Sequence, residues 1–258
     1  MKKRGSMGLR RAQATVFIII AIVIVAVIAI YFLITSGALG GGDKGEIVPV
    51  EIEDVHNYVL DCLKDTGEGA VYYIGQSGGY FEAPEFSNEY GIPYYYSDGK
   101  SYIPSIQDIE GEFDSYMNYF VKFCVGEFDE FLDYTVSEGE VSSVTKISEG
   151  KVSFVINYPI SVTKNEKTYE LKKFETQIQV RLFTIYNLAY NIIQEQLLNG
   201  DDICMNCMYD DALEKDLYIE MNDFGNKTGI IIYSIRDENL KIKDRDYRFI
   251  FANKFKVP

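Results

Sequence analysis

The sequence has little of what most catalytic sites are built from. Its 258 residues include a single histidine, His56, and they contain no Gly-rich phosphate loop, no GxSxG elbow and no HExxH motif. His56 falls beside an apolar stripe and is interpreted as a solvent-facing residue. These absences predict a protein that is not an enzyme, with no catalytic residue, no bound cofactor and no metal site.

Acidic residues are absent from the first 42 positions, so the charge is divided unevenly along the chain. Five of the 25 basic residues lie in this segment, which leaves 20 basic and 39 acidic residues, a net charge of −19, after it. Phosphate binding needs a basic face. The acidic remainder therefore argues against a nucleic-acid partner, whereas its 47% hydrophobic content predicts a globular domain.

A long uncharged run is the dominant feature of the N-terminal part. Residues 12–42 carry no charge, and within residues 14–34 only Thr15 and Tyr31 have a polar side-chain atom. As a helix, 21 such residues at ~1.5 Å each span roughly the 30 Å core of a bilayer. The basic cluster before them predicts a cytoplasmic N-terminus and an extracellular C-terminal part.

Three fates are open to this helix once it is inserted. The small residues Ser36, Gly37 and Ala38 would suit signal cleavage, but the apolar run exceeds the usual signal core of about 7 to 15 residues. A twin-arginine signal fits less well, because a very hydrophobic segment follows Arg10 and Arg11. Retention as a membrane anchor is therefore preferred.

The third fate follows from the stretch "RRAQATVFIII". It resembles the class III signal of archaeal type IV pilin-like proteins. The resemblance implies peptidase cleavage between Ala12 and Gln13 and a retained helix that packs in a filament core. A simple anchor has the same basic-then-apolar order and remains the alternative.

Segments of the later chain are also similar to uncharacterised archaeal membrane-anchored proteins that share the "QATVFI" start. These segments are the regions around Cys62 and Cys124 and the "YPI" and "FIFANKF" stretches. The resemblance implies an archaeal cell-surface setting and no activity. In that setting Asn226, in Asn-Lys-Thr, would be a glycosylation site.

Hydrophobic periodicity predicts an α+β ectodomain with long helices packed on antiparallel sheet. Apolar residues recur every three or four positions in three segments, which are therefore predicted to be helices. Strands, and an acidic loop after Gly200, occupy the rest. Ser105 and Asp108 form a predicted capping box at the start of the second helix. The predicted helices cover residues 52–74, 105–131 and 174–198. The predicted domains are a basic leader at 1–12, a transmembrane helix at 13–36, a Gly-rich hinge at 37–46 and the ectodomain at 47–258.

Tyrosines are concentrated in "IPYYYSDGKSYIP", which predicts a β-hairpin turning at Asp98-Gly99. They would serve either as an aromatic binding platform or as cross-strand packing of a small sheet, and packing is the preferred interpretation. The residues concerned are Tyr94, Tyr95, Tyr96 and Tyr102.

Four cysteines follow the apolar run, and an oxidising exterior favours their pairing. Cys62 and Cys124 fall on the apolar stripes of consecutive helices, and Cys204 and Cys207 are near neighbours, so these two pairs are predicted from three pairings. A redox role for the second pair is disfavoured, because nearby aspartates oppose a thiolate. Zinc would need all four cysteines to converge.

Carboxylates are abundant, and Asp129, Glu130 and Asp133 are close in sequence, but no EF-hand spacing organises them. The sequence therefore predicts a single-pass membrane-anchored cell-surface protein that acts by binding or assembly, as a pilin-like subunit or otherwise. Its expected partners are membrane lipid, through residues 14–34, and either copies of itself or other surface proteins. The alternative is a membrane-tethered extracytoplasmic thiol-redox or metal-dependent enzyme.

Overall fold

The structure, a computed structural model, describes residues 48–223 and 229–256. The predicted membrane helix and hinge, the cleavage position at Ala12 and Gln13, and the sequon at Asn226 lie outside these residues. Residues from Val48 onward form one compact unit. Of the helices in the described ranges, none has both the length and the apolar character that crossing a bilayer requires.

Helices and strands are mixed along the chain, which confirms the α+β class. The α-helices of the described residues are α1 (Glu53–Gln76), α2 (Ile106–Val125), α3 (Leu182–Asn199) and α4 (Met205–Glu214). The strands of the same residues are β1 (Tyr94–Ser97), β2 (Lys100–Ser101), β3 (Thr135–Glu138), β4 (Ser142–Ser148), β5 (Lys151–Lys164), β6 (Lys167–Gln179), β7 (Tyr218–Asp223), β8 (Ile230–Ile242) and β9 (Arg245–Lys254).

One sheet has five strands in the order β2-β1-β9-β8-β7. Its neighbours are antiparallel except β1 and β9, which run parallel with Tyr94 opposite Ala252. The predicted hairpin of β1 and β2 is confirmed, with Asp98 and Gly99 both at positive φ, as its two-residue turn requires. The long-range pairing of β1 with β9 was not predicted from sequence.

The second sheet is built around β5. β6 pairs along one edge of β5. On the other edge, β4 pairs with the first half of β5 and β3 with the second half. Alternate residues of β5 from Val152 to Val162 are buried, as expected of a strand with one face on the core. Pro159 cannot donate a backbone hydrogen bond, and the register with β6 is interrupted where it lies.

Helices α1 and α2 pack against each other as an antiparallel pair. Tyr58, early in α1, donates to the carbonyl oxygen of Val125 at the end of α2 over 3.2 Å. Tyr73, late in α1, meets Tyr116 in the middle of α2, with 5.9 Å between ring centroids. The capping box of Ser105 and Asp108 is confirmed at the start of α2.

Two predicted helix boundaries were wrong. Helix α2 ends at Val125 rather than continuing to residue 131, because Gly126 adopts a left-handed conformation. The third helix begins at Leu182, and Phe174 and Ile178 belong to β6 instead. A spacing of four residues keeps side chains on one face of a strand as well as of a helix, so these positions matched both patterns.

The predicted acidic loop after Gly200 was also wrong in part, because it contains helix α4. Ala212 and Met208 are buried on one side of this helix and the remaining side chains are largely exposed. With only ten residues and few apolar ones, the segment gives a weak periodic signal. Its position beside α3 therefore came from the structure and not from the sequence.

Candidate functional site

An exposed aromatic surface covers the outer side of the α1 and α2 pair. Three of its rings are largely open to solvent: the exposed fraction is 47% for Tyr73, 56% for Tyr119 and 68% for Phe123. Monomeric soluble proteins rarely expose contiguous apolar patches of this kind, and those that do generally use them for interaction. This surface, called the aromatic face below, consists of Tyr73, Phe81, Tyr116, Tyr119, Phe120 and Phe123.

The rings of the aromatic face form a continuous contact network. Phe120 lies 4.4 Å from Tyr116 and 4.9 Å from Tyr119, and Tyr119 lies 5.3 Å from Phe123, measured between centroids. Phe81, from the loop after α1, packs edge-on against Tyr116 at 5.3 Å. Rings fixed by their neighbours lose little conformational entropy on binding, which suits a preformed docking surface.

Helix α2 presents this face because it is apolar on two sides. One side, at intervals of four residues, is buried against the rest of the domain and consists of Ile109, Phe113, Met117, Val121 and Val125. The other side carries the aromatic residues 116, 119, 120 and 123, which share one face of a helix. The domain interior therefore accounts for only one of the two apolar sides.

The aromatic face is nearly free of charge in an otherwise acidic chain. Lys122 is the single charged residue of the sequence between positions 115 and 126, and it pairs with Glu140 at 3.1 Å. Burial, and then proximity to Tyr73, raises the pKa of the Tyr116 hydroxyl above its ordinary value, so this group is neutral at physiological pH. Between residues 115 and 126, therefore, no acidic side chain opposes close approach of another surface. Glu112, one turn earlier, adjoins the face and accepts a hydrogen bond from the Phe81 backbone N–H at 2.8 Å.

The tyrosine platform considered from the sequence is contradicted for three of its four members. Tyr94, Tyr95 and Tyr96 are buried. Tyr95 stacks on Phe251 with 4.6 Å between centroids and donates to the carbonyl oxygen of Gly78 over 2.7 Å. Burial raises the pKa of Tyr95 well above its usual value. The packing interpretation is therefore confirmed for this strand, which lies inside a sheet between β2 and β9.

Tyr102 is the exposed member of that group, with 41% of its surface open. Its ring lies 4.5 Å from Phe86, which in turn contacts the Tyr94 ring at 5.0 Å. These three rings are not among the residues that define the aromatic face.

Both predicted disulfides are present. Cys62 and Cys124 join α1 to α2 with Cα atoms 5.6 Å apart, and Cys204 and Cys207 are joined with Cα atoms 5.4 Å apart. Cys62 is buried, whereas Cys207 is exposed. The first bridge closes a long loop and constrains the unfolded chain, whereas the second closes a very short one.

The exposed bridge lies at the N-terminus of α4. Cys204 is the residue that precedes the helix, and its Sγ accepts a hydrogen bond from the Cys207 backbone N–H at 3.4 Å. Beside it is a cavity of about 190 Å³ between α3 and α4, lined by Cys207, Asn191, Gln194, Glu195 and Asp211 among others. Asp211 is held there by Lys215 and by Asn191.

The remaining candidate residues give less support for a functional site. His56 is half-buried and stacks on Phe174 at 5.6 Å, so it is not the freely solvent-facing residue that the sequence indicated. Asp129, Glu130 and Asp133 follow the end of α2. Within residues 48–223 and 229–256, no three His, Cys, Asp or Glu side chains converge as a metal site.

No protein-family model matches the chain, and neither does any curated protein or solved structure. Function has to be inferred from the surfaces of the molecule.

Sequence reasoning missed the aromatic face, although its signal was present. Cys124 was predicted to lie on the apolar stripe of the second helix, but it and Phe120 are only half-buried. The signal was the spacing of Tyr116, Tyr119, Phe120 and Phe123, which defines a second apolar side of that helix. Periodicity does not reveal which of two apolar sides the fold covers.

Proposed function

We propose that this protein is a single-pass membrane-anchored cell-surface subunit that assembles with further copies of itself through the aromatic face. The observation that carries the proposal is the exposed, connected aromatic surface on α1 and α2. Full burial of a large apolar side chain contributes roughly 1.5 to 3 kcal/mol of stabilising free energy. Tyr119 and Phe123 do not gain most of this contribution while they remain in water. An occupant that covers them gains that contribution.

A second copy is the occupant that the charges favour. The chain after the apolar run is strongly acidic, so two copies repel each other over most of their surfaces. The helical part of the aromatic face is less acidic, since α2 carries one lysine and no acid between residues 115 and 126. A twofold contact would place each face against its equal, the commonest arrangement in homo-oligomers.

Membrane anchoring through residues 14–34 supports such assembly. Anchored copies share a surface and an orientation, which raises their effective concentration and lets a modest interface suffice. The "RRAQATVFIII" start further suggests pilin-like processing before Gln13. In that case the apolar helices would pack in a filament core, and the aromatic face would join neighbouring ectodomains.

Photo-crosslinking of the full chain in its own membrane tests the proposal. Tyr119 is replaced by benzoylphenylalanine, a photoreactive residue of similar shape, and the membrane is irradiated. We expect a covalent dimer of this chain, identified by mass spectrometry. The matched control carries the same residue in place of Leu132, which is 92% exposed and lies beyond α2, and should remain monomeric.

A second substitution distinguishes contact through the face from random collision. Phe123→Ser, added to the photoreactive chain, should abolish the dimer by removing the most exposed ring of the face, whereas Leu132→Ser should leave it intact. A crosslink to a different protein would show that this protein, and not a second copy of the chain, covers the aromatic face. Equal crosslinking from both photoreactive positions would rule out the aromatic face as the interface.

A further inference from the structure

We infer that the Cys204–Cys207 disulfide is an exchangeable one that oxidises a dithiol of a basic protein segment, whereas Cys62–Cys124 is the structural bridge. The inference is independent of the assembly proposed above. It rests on four features of the described residues: the exposure of Cys207, the helix N-terminus, the adjacent cavity and the charge around it.

Accessibility decides which sulfur is attacked. Cys207 is exposed and lines the cavity between α3 and α4, whereas Cys204 is half-buried. Thiol–disulfide exchange requires an incoming thiolate to approach along the S–S axis, so it depends on access to the attacked sulfur. An incoming thiolate therefore bonds to Cys207 Sγ.

The leaving group is then Cys204, and its surroundings favour that role. Its Sγ already accepts the Cys207 backbone N–H, and it lies at the positive end of the α4 dipole. A helix N-terminus stabilises a thiolate, and a stabilised thiolate leaves faster. The aspartates that argued against redox chemistry from sequence are partly compensated, because Asp211 pairs with Lys215.

The exchange balances without a further reagent. The first partner thiolate forms a bond to Cys207 Sγ as the Cys204–Cys207 bond breaks, and Cys204 departs as a thiolate. The second partner thiolate then attacks the partner sulfur of this mixed disulfide and releases Cys207. Two electrons pass to the cysteine pair, the two protons of the partner thiols end on Cys204 and Cys207, and the partner leaves as a disulfide.

The cavity and its rim indicate the class of partner. Glu195 contributes a carboxylate to the lining beside the Asp211–Lys215 pair, and Asn191 and Gln194 contribute amides. Asp201, Asp202 and Asp210 are exposed on the same segment. Potentials of opposite sign steer association and select partners, so a dithiol flanked by lysine or arginine should be preferred over one flanked by acids.

The first experiment compares the two disulfides within one molecule. The full chain is mixed with a reduced peptide dithiol flanked by lysines, or with its glutamate-flanked counterpart, and is then alkylated and mapped by mass spectrometry. We expect Cys204 and Cys207 to be labelled about 100-fold faster than Cys62 and Cys124. Cys62 is buried and Cys124 half-buried, so neither sulfur has the access of the exposed Cys207 without local opening.

The lysine peptide should react about tenfold faster than the glutamate peptide at low salt, and added salt should reduce the difference. Equal labelling rates of the two bridges would overturn the exchange itself. Equal rates with both peptides, at any salt concentration, would overturn the basic partner.

Two single-cysteine variants test the order of attack. In Cys204→Ser, the remaining Cys207 should form a lasting mixed disulfide with the oxidised lysine peptide. In Cys207→Ser, the half-buried Cys204 should do so about tenfold more slowly. Circular dichroism and an intact Cys62–Cys124 bridge show that both variants fold. Equal or faster adduct formation at Cys204 would contradict attack at Cys207.

Discussion

At the residue scale, the ion pair of Arg181 and Asp237 fixes the point where β6 gives way to α3. Asp237 is fully buried in β8 and accepts hydrogen bonds from Arg181 Nε at 2.7 Å and Nη2 at 2.8 Å. Arg181 also donates to the carbonyl oxygen of Lys215 over 2.9 Å. The hydrogen bond to Asp237 raises the pKa of Arg181, so the guanidinium stays charged. It joins α3 and the end of α4 to the five-stranded sheet.

Asp237→Asn should lower the free energy of unfolding by about 2 to 3 kcal/mol, because it leaves the Arg181 guanidinium half-buried without its counter-charge. The control is Glu238→Gln, which removes one of three carboxylates near the partly exposed Arg236 and should cost under about 0.5 kcal/mol, because two carboxylates remain. Urea unfolding followed by circular dichroism measures both. Equal effects would show that burial of Asp237 adds nothing to this pair.

At the scale of elements, helix α1 is the centre of the domain because it contacts both sheets. Glycines make these contacts close. A Cβ atom at Gly75 would lie 2.7 Å from the backbone oxygen of Arg248 in β9, and one at Gly67 would lie 3.2 Å from the Phe154 ring in β5. The backbone oxygen cannot rotate away, so the first approach requires glycine.

Gly75→Ala should therefore destabilise the protein by about 1 to 3 kcal/mol through overpacking. Gly111→Ala in α2 is the matched control: its added Cβ meets nothing within 4 Å, and alanine should stabilise the helix by about 0.5 to 1 kcal/mol. Thermal unfolding of the two variants should shift in opposite directions. A rise in the unfolding temperature of both variants would mean that β9 moves readily to accommodate the added methyl group of α1.

At the scale of the whole molecule, the division of charge sets the expected membrane topology. Five basic residues precede the apolar run, and the acidic domain follows it. Under the proposed arrangement the domain lies outside the cell, where its two disulfides would be maintained.

Protease added to intact cells should remove the domain, and mass spectrometry of the membrane-extracted chain should find residues 14–34 still attached to it. Such a run is long enough to span the bilayer and too long for a typical signal. A mature N-terminus at Gln13 would support pilin-like processing, and an intact one a simple anchor. An N-terminus at Leu39, or protection of the domain from protease, would contradict the proposal.

Local rules in the sequence determined a substantial part of this molecule. The capping box at Ser105 and the turn at Asp98 and Gly99 each depend on interactions within a few residues, so they were predicted from sequence. The pairing of Cys62 with Cys124 followed from two apolar stripes. Each of these features requires only one element and its immediate neighbour.

Only the tertiary structure decided which apolar surfaces are covered. Tyr95 is buried because β9 pairs with β1 from the far end of the chain, and Phe123 is exposed because α1 and the sheets cover the other side of α2. Likewise, Cys207 lies beside a cavity because α4 packs near α3. These outcomes depend on contacts between residues distant in sequence, which local periodicity does not contain.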